Sequence, residues 1–474
     1  MSPSSAAEAD FAPERPATTR VATVIGAGTV GAHISQLVWL ALGARTMGLS
    51  TFGAVLAAQA LYAVLQTLLD IGPAQLGARR AARGAVDDAV RGALTRTRLT
   101  IAFPAAAVAL GFAVTGHGPT ALAVLPFAVA LPLFGLLNVW ERFGRGDGAP
   151  WAAYLFLRSA GPALAAGICF IFSVRFPPFL AGTVECASIL AVMAIYRLRP
   201  LQLARLARTN DREPFRAVAG IGAISILFQL TTASGTVLLS ASGANDAAAV
   251  LGVGLRLTTG LNSLLGVLSL AMFARLARTS GDTTATARDA WATGIVLQAV
   301  VAVAAAAATI TIVLAQPLLA LLVGHPTPVG EVSMILVLAA LPAAASSVAL
   351  ATVFVARRAE RSILAPFVVG AGATLALGAV ALAAGAGNPA WMAGAMLVGQ
   401  LAIVLGVAAR VRGSFPELSR AARTAAADGV VVAACAAAGA AGTGALRLAA
   451  AVPIVVLCLA RGRGPLRALH ARLR

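Results

Sequence analysis

Four arginines carry the clearest chemistry in this chain. Arg158 and Arg256 lie inside long apolar runs, and Arg45 and Arg175 lie near the ends of others. A charge held within a membrane-spanning helix costs roughly 2.5–3.5 kcal/mol on insertion scales, so a cation kept there is a functional candidate by default. A guanidinium stays charged and presents a planar fork that grips two phosphate oxygens at once. Inside an otherwise oily cavity, such forks suit an anionic headgroup. Arg256, Arg158, Arg45 and Arg175 are therefore the candidate substrate-binding set, weighed against arginines that merely snorkel to the membrane surface. Three titratable groups join them as candidates for carrying a coupling H+ or Na+: Asp70, Glu185 and His33. Each has a structural alternative: an end-of-span cap for Asp70, a helix interface for Glu185, and a hydrogen-bonded helix contact beside Gln36 for His33, although imidazole can take a proton near neutral pH.

Other chemistries lack their residues. Four histidines and 18 acids in 474 residues show no metal spacing, no paired carboxylates and no Ser-His-Asp pattern, so neither a metal nor any other cofactor is expected and the chain does not read as an enzyme. Cys169, Cys186, Cys435 and Cys458 sit within apolar runs without a CxxC pair and read as small core residues. Gly26-Ala27-Gly28-Thr29-Val30-Gly31 matches GxGxxG formally. A dinucleotide site would need an acid about 20 residues on, and the apolar run simply continues to Leu42. Small residues four apart suit close helix packing in lipid instead.

The elements that must position these groups follow from composition. The chain is 59% hydrophobic and 11% charged, with a mean hydropathy of +0.87. Soluble domains carry roughly 25% charged residues, so this chain cannot clothe itself for water. Its apolar residues fall into blocks of roughly 17–25, the length of a membrane-spanning helix. The expected fold is all-α and polytopic, with spans at 21–43, 53–75, 99–115, 119–140, 151–173, 179–196, 217–241, 247–273, 290–314, 331–356, 363–385 and 389–409. A shorter Ala/Gly-rich pair at 428–444 and 448–460 brings the range to 12–14. The expected organisation is a disordered cytoplasmic tail (1–20), a six-span lobe (21–196), a basic cytoplasmic linker (197–216), a second six-span lobe (217–409) and a basic C-terminal segment with an extra hairpin (410–474). Prolines 104, 126, 132, 162, 317 and 342 fall in or beside spans, where loss of the backbone donor bends a helix.

All 36 basic residues are arginine, against 18 acids, a net charge of +18. With the N-terminus inside, 31 of the 36 fall on the cytoplasmic side or its flanks, as positive loops do. The cluster at Arg91, Arg96 and Arg98 is counted among them. That distribution points to anionic membrane lipids as partners, and to both termini in the cytoplasm. Three tyrosines and five tryptophans, none interleaved with the basic residues, exclude nucleic acid.

The stretch Leu40–Gly84 resembles the signature of bacterial polysaccharide flippases. Met47-Gly48-Leu49-Ser50-Thr51-Phe52-Gly53 fits that family's turn after the first span, Asp70-Ile71-Gly72 its acid-Gly element and Arg79-Arg80 its inner basic cluster. Leu251-Gly252-Val253-Gly254-Leu255-Arg256-Leu257 with Ala271-Met272-Phe273-Ala274-Arg275-Leu276 is similar to its eighth span, and Phe143-Gly144-Arg145 to the loop before its fifth, although the proline that often follows the Phe at the eighth span's exit is absent. The resemblance implies a carrier in the bacterial cytoplasmic membrane that flips a polyprenyl-diphosphate-linked saccharide by alternating access between two lobes, for cell-surface polysaccharide synthesis. It places the chain in a superfamily that also holds multidrug antiporters, for which an acidic cavity is expected. A non-transporting scaffold for envelope synthesis is the third possibility.

Overall fold

In a computed structural model, residues 15–82, 86–116, 119–145, 147–199, 202, 205, 216–279, 285–324, 327–357, 359–385, 387–442 and 445–473 are described. The first half of the chain, called the first lobe below, comprises α1 (Arg15–Met47), α2 (Leu49–Ala82), α3 (Asp88–Thr115), α4 (Pro119–Leu136), the short α5 (Trp140–Gly144), α6 (Ala149–Ile171) and α7 (Leu180–Ile195). The second comprises α8 (Arg216–Ala241), α9 (Asn245–Thr279), α10 (Ala285–Val323), α11 (Pro328–Ala339), α12 (Leu341–Ala356), α13 (Leu364–Ala383) and α14 (Pro389–Ser414). A hairpin of α15 (Ser419–Ala441) and α16 (Ala445–Leu473) follows. No strand occurs among the described residues. Twelve stretches of the described chain are long and apolar enough to cross a membrane, and α7 is a shorter apolar helix, so this is a multi-pass membrane protein.

Local chemistry explains where the boundaries move from expectation. Residues 15–20, inside the segment read as a disordered tail, are helical as part of α1. Residues 1–14 and most of the linker 197–216 lie outside the described residues. Arg91, Arg96 and Arg98, counted among the arginines of an inner loop, belong to α3 instead, and Arg98 is 2% exposed. Pro342 opens α12 and separates it from α11, and α10 bends at Leu314, three residues before Pro317. The C-terminal pair is longer than its apolar runs. Asp428 on α15 is neutralised by Arg461 of α16 through a bidentate pair at 2.7 and 2.9 Å, so both helices extend past polar positions. At the far end of α16, Arg447 pairs with Glu331 of α11 at 2.7 Å.

The two lobes open alike. A glycine at positive φ, Gly48 at 78° and Gly243 at 83°, turns α1 into α2 and α8 into α9, a conformation that side chains resist. These turns meet: α2 packs along α8 and α9, and Gly53 lies against the backbone carbonyl of Asn245 so closely that a Cβ there would overlap it. Gly53→Ala is accordingly expected to destabilise the fold by about 2 kcal/mol, since the obstacle is backbone and cannot rotate away. Thermal unfolding in detergent checks this; an unchanged midpoint would mean the helices part without strain. Gly28 of the GxGxxG stretch packs on α6, where a Cβ would stand 2.7 Å from that of Ala152, a helix contact and not a nucleotide turn.

Candidate functional site

Polar residues recur along several of these apolar helices at helical spacing. Gln59, Tyr62 and Gln66 follow one another at i, i+3 and i+7 on α2; Gln36 and Trp39 do so on α1, and Tyr154 and Arg158 on α6. Glu185 of α7 and Arg256 of α9 complete the set. Gln36, Trp39, Gln59, Tyr62, Arg158, Glu185 and Arg256, with Phe127, Ser159, Pro162 and Ala181, line a narrow cleft with a cavity volume of about 40 Å³. Every lining residue but Arg256 comes from the first lobe.

The hydrogen bonds divide the two arginines. Glu185, 4% exposed, accepts the Tyr62 hydroxyl at 3.0 Å and the Tyr154 hydroxyl at 2.5 Å on the same oxygen. Its other oxygen faces Arg158 Nε at 3.5 Å. Arg158 also donates to Gln66 Oε1 at 3.1 Å and to the Tyr154 hydroxyl at 3.3 Å, and its guanidinium lies 5.3 Å from the Tyr154 ring centre. Gln66 Nε2 donates to the same hydroxyl at 2.9 Å. Arg158 is thus matched by a carboxylate and held by neighbours. Arg256 is not. It donates to Gln59 Oε1 at 3.0 Å across the lobes and has no carboxylate within 4 Å among the described residues. With both arginines and Glu185 charged, the cleft carries one uncompensated positive charge.

The remaining expected site residues lie elsewhere. Arg45 is exposed and turns back to the Ala41 carbonyl of its own helix, and Arg175 is exposed in the stretch after α6; neither lines the cleft. His33 is half-buried on α1, with Nε2 lacking a hydrogen-bond partner and Nδ1 facing Gly260 of α9. The Asp70 side chain lies outside the described residues. Tyr62, Tyr154, Gln59 and Gln66 were missed; the i, i+3, i+7 polar stripe on α2 was the signal available. Away from the membrane segments, Glu141 of α5 is held below the ordinary carboxylate range, first by hydrogen bonds from Arg91 at 2.8 and 2.9 Å.

No protein-family model and no curated protein sequence matches this chain. Solved structures do. The Lipid II flippase MurJ in an inward closed conformation superposes with a TM-score of 0.59 at 10% identity, covering 94% of this chain and 99% of that one. An outward-facing multidrug resistance MATE family transporter of the MOP superfamily gives 0.61 at 15% identity, covering 87% and 96%. A MOP superfamily transporter from Pyrococcus furiosus, described by a reverse polarity of its binding pocket, gives 0.58 at 14%, covering 85% and 96%. The chain has the MOP transporter fold. At such identities the likeness concerns fold alone. Within this MOP fold, the polar cleft is built almost wholly on the first lobe, and Arg256 is the group the second lobe contributes to it.

Proposed function

We propose that this protein is a transporter that flips a polyprenyl-diphosphate-linked saccharide across the bacterial cytoplasmic membrane by alternating access of its two lobes. The observation that carries this reading is Arg256: a cation lining a cleft at the lobe interface, with no carboxylate to neutralise it among the described residues. Such a charge in a low-dielectric setting is costly unless an anion visits it. A diphosphate supplies the paired oxygens that its fork accepts. Gln36, Gln59 and Ser159 on the same walls supply hydrogen-bonding groups for sugar hydroxyls, while the polyprenyl chain stays in the bilayer. No covalent bond is made or broken.

The MOP fold is shared by a lipid flippase and by a multidrug resistance transporter, and the charge of the cleft supports the first reading over the second. A cationic drug needs an available carboxylate. Glu185 already accepts two tyrosine hydroxyls and faces Arg158, which argues against that route. The arginine distribution supports cytoplasmic termini.

Deletion of the gene followed by leaflet-resolved labelling of lipid-linked saccharides tests the proposal. Accumulation of the saccharide facing the cytoplasm is expected. A normal distribution between leaflets would reject the flippase reading, and a diffuse envelope defect without accumulation would favour a scaffold.

A further inference from the structure

We propose that Glu185 is a built-in counter-charge that limits how tightly the cleft holds its anion. The inference rests on the anion-transport reading above and adds a specificity-determining residue to it. A carrier must bind strongly enough to capture its cargo and weakly enough to let it go on the other side. Two guanidinium groups in one apolar cleft, without an acid, would present a charge of +2 to a diphosphate and retain it. Glu185 reduces that charge to +1, and it does so from a fixed position.

The fixing is visible in the contacts. One carboxylate oxygen receives hydroxyl hydrogens from Tyr62 on α2 and Tyr154 on α6, and the other faces Arg158. Two neighbouring helices, α2 and α6, hold the acid through three side chains, so it cannot swing aside when an anion enters. Both tyrosine hydroxyls are spent on it, and both rings are buried, at 1% and 0% exposure. Arg158 is thereby a positioning and balancing group, and Arg256 the cation left to meet cargo.

Net charge in the cleft therefore sets affinity. Glu185→Gln preserves shape, because an amide oxygen still accepts both hydroxyls, and raises the charge to +2. Arg158→Gln lowers it to zero, and the double substitution returns it to +1. The protein is reconstituted in phosphatidylcholine nanodiscs, which add no anionic lipid. Binding of farnesyl diphosphate is measured by calorimetry, with inorganic pyrophosphate as the arm that separates a lipid headgroup from free diphosphate.

Glu185→Gln is expected to bind farnesyl diphosphate about tenfold more tightly than the wild type. It should also flip a fluorescent analogue more slowly in proteoliposomes, because release becomes limiting. Arg158→Gln should bind about tenfold more weakly, and the double variant should return toward the wild-type Kd, a rescue that a purely structural role would not give. If Glu185→Gln or the double variant breaks this order while Arg256→Ala still removes binding, the counter-charge role is wrong and the anion site stands. If Arg256→Ala binds like the wild type, the anion site itself is wrong. Pyrophosphate binding equal to that of farnesyl diphosphate would overturn the lipid-linked cargo and leave a site for free diphosphate.

Discussion

Arg256→Ala is expected to lower flipping at least about a hundredfold while leaving the amount of folded protein unchanged. The magnitude follows from the bonds at stake. A hydrogen bond to a charged group contributes about 1.5–3 kcal/mol, a bidentate grip makes two of them, and each 1.4 kcal/mol is about tenfold. Folding should be spared because Arg256 makes one described hydrogen bond, to Gln59 at 3.0 Å, and no described ion pair. Removing an uncompensated cation also relieves a desolvation cost. Arg256→Lys separates charge from geometry: it keeps the cation and loses the fork, so an intermediate rate is expected. The measurement is flipping of a fluorescent polyprenyl diphosphate in proteoliposomes, normalised to monodisperse protein. Wild-type rates in Arg256→Ala would refute the proposed site.

The largest effect on stability belongs to a different arginine. Arg98→Ala is expected to cost about 4 kcal/mol, because its guanidinium ties three elements together where water is excluded. Nε donates to the Leu69 carbonyl of α2 at 3.2 Å, Nη1 to the Leu137 carbonyl at 2.7 Å and Nη2 to the Phe134 carbonyl at 2.9 Å. The last two acceptors sit at the C-terminal end of α4, where carbonyls run short of backbone donors and carry the negative end of the dipole; that of Phe134 also accepts the Leu137 N–H at 3.0 Å. The same group lies 5.2 Å from the Phe134 ring centre. Truncation takes a donor from each of three buried carbonyls. Arg98→Met fills the volume without restoring the bonds, and it should recover only a small part of the loss. Thermal unfolding in detergent measures both; a shift of no more than a degree or two in Arg98→Ala would show that the carbonyls find other donors.

These two arginines show why charge is readable in a sequence and partnership is not. Arg256 stood out because it interrupts an apolar run. Arg98 has the same residue type but lies near the start of its run, beside Arg91 and Arg96, and was counted among loop cations; burial by α2 and α4 made it a clamp. The turn Met47-Gly48 to Phe52-Gly53 was legible as a motif, and its physical basis is now plain. Gly48 takes positive φ, Phe52 packs against Trp39 with ring centres 5.7 Å apart, and Gly53 gives way to the Asn245 carbonyl. The tyrosines were not legible. An occasional Tyr or Gln in an apolar helix fits a core as well as a cleft, and only the neighbouring helices decide which.

By itself, the sequence determined the solvent this protein lives in and the secondary structure it forms there. Scarce charge and continuous apolar runs of spanning length, without the alternation of a barrel strand, leave a chain in lipid to satisfy its backbone as helices. It also determined that cations would be lodged within those helices. Only the tertiary structure decided which of them is answered by an acid. Arg158 and Glu185 lie 27 residues apart on separate helices, and Gln59 and Arg256 lie 197 apart, in different lobes. Whether such groups meet depends on how helices cross and pack, and local spacing along the chain carries no information about that.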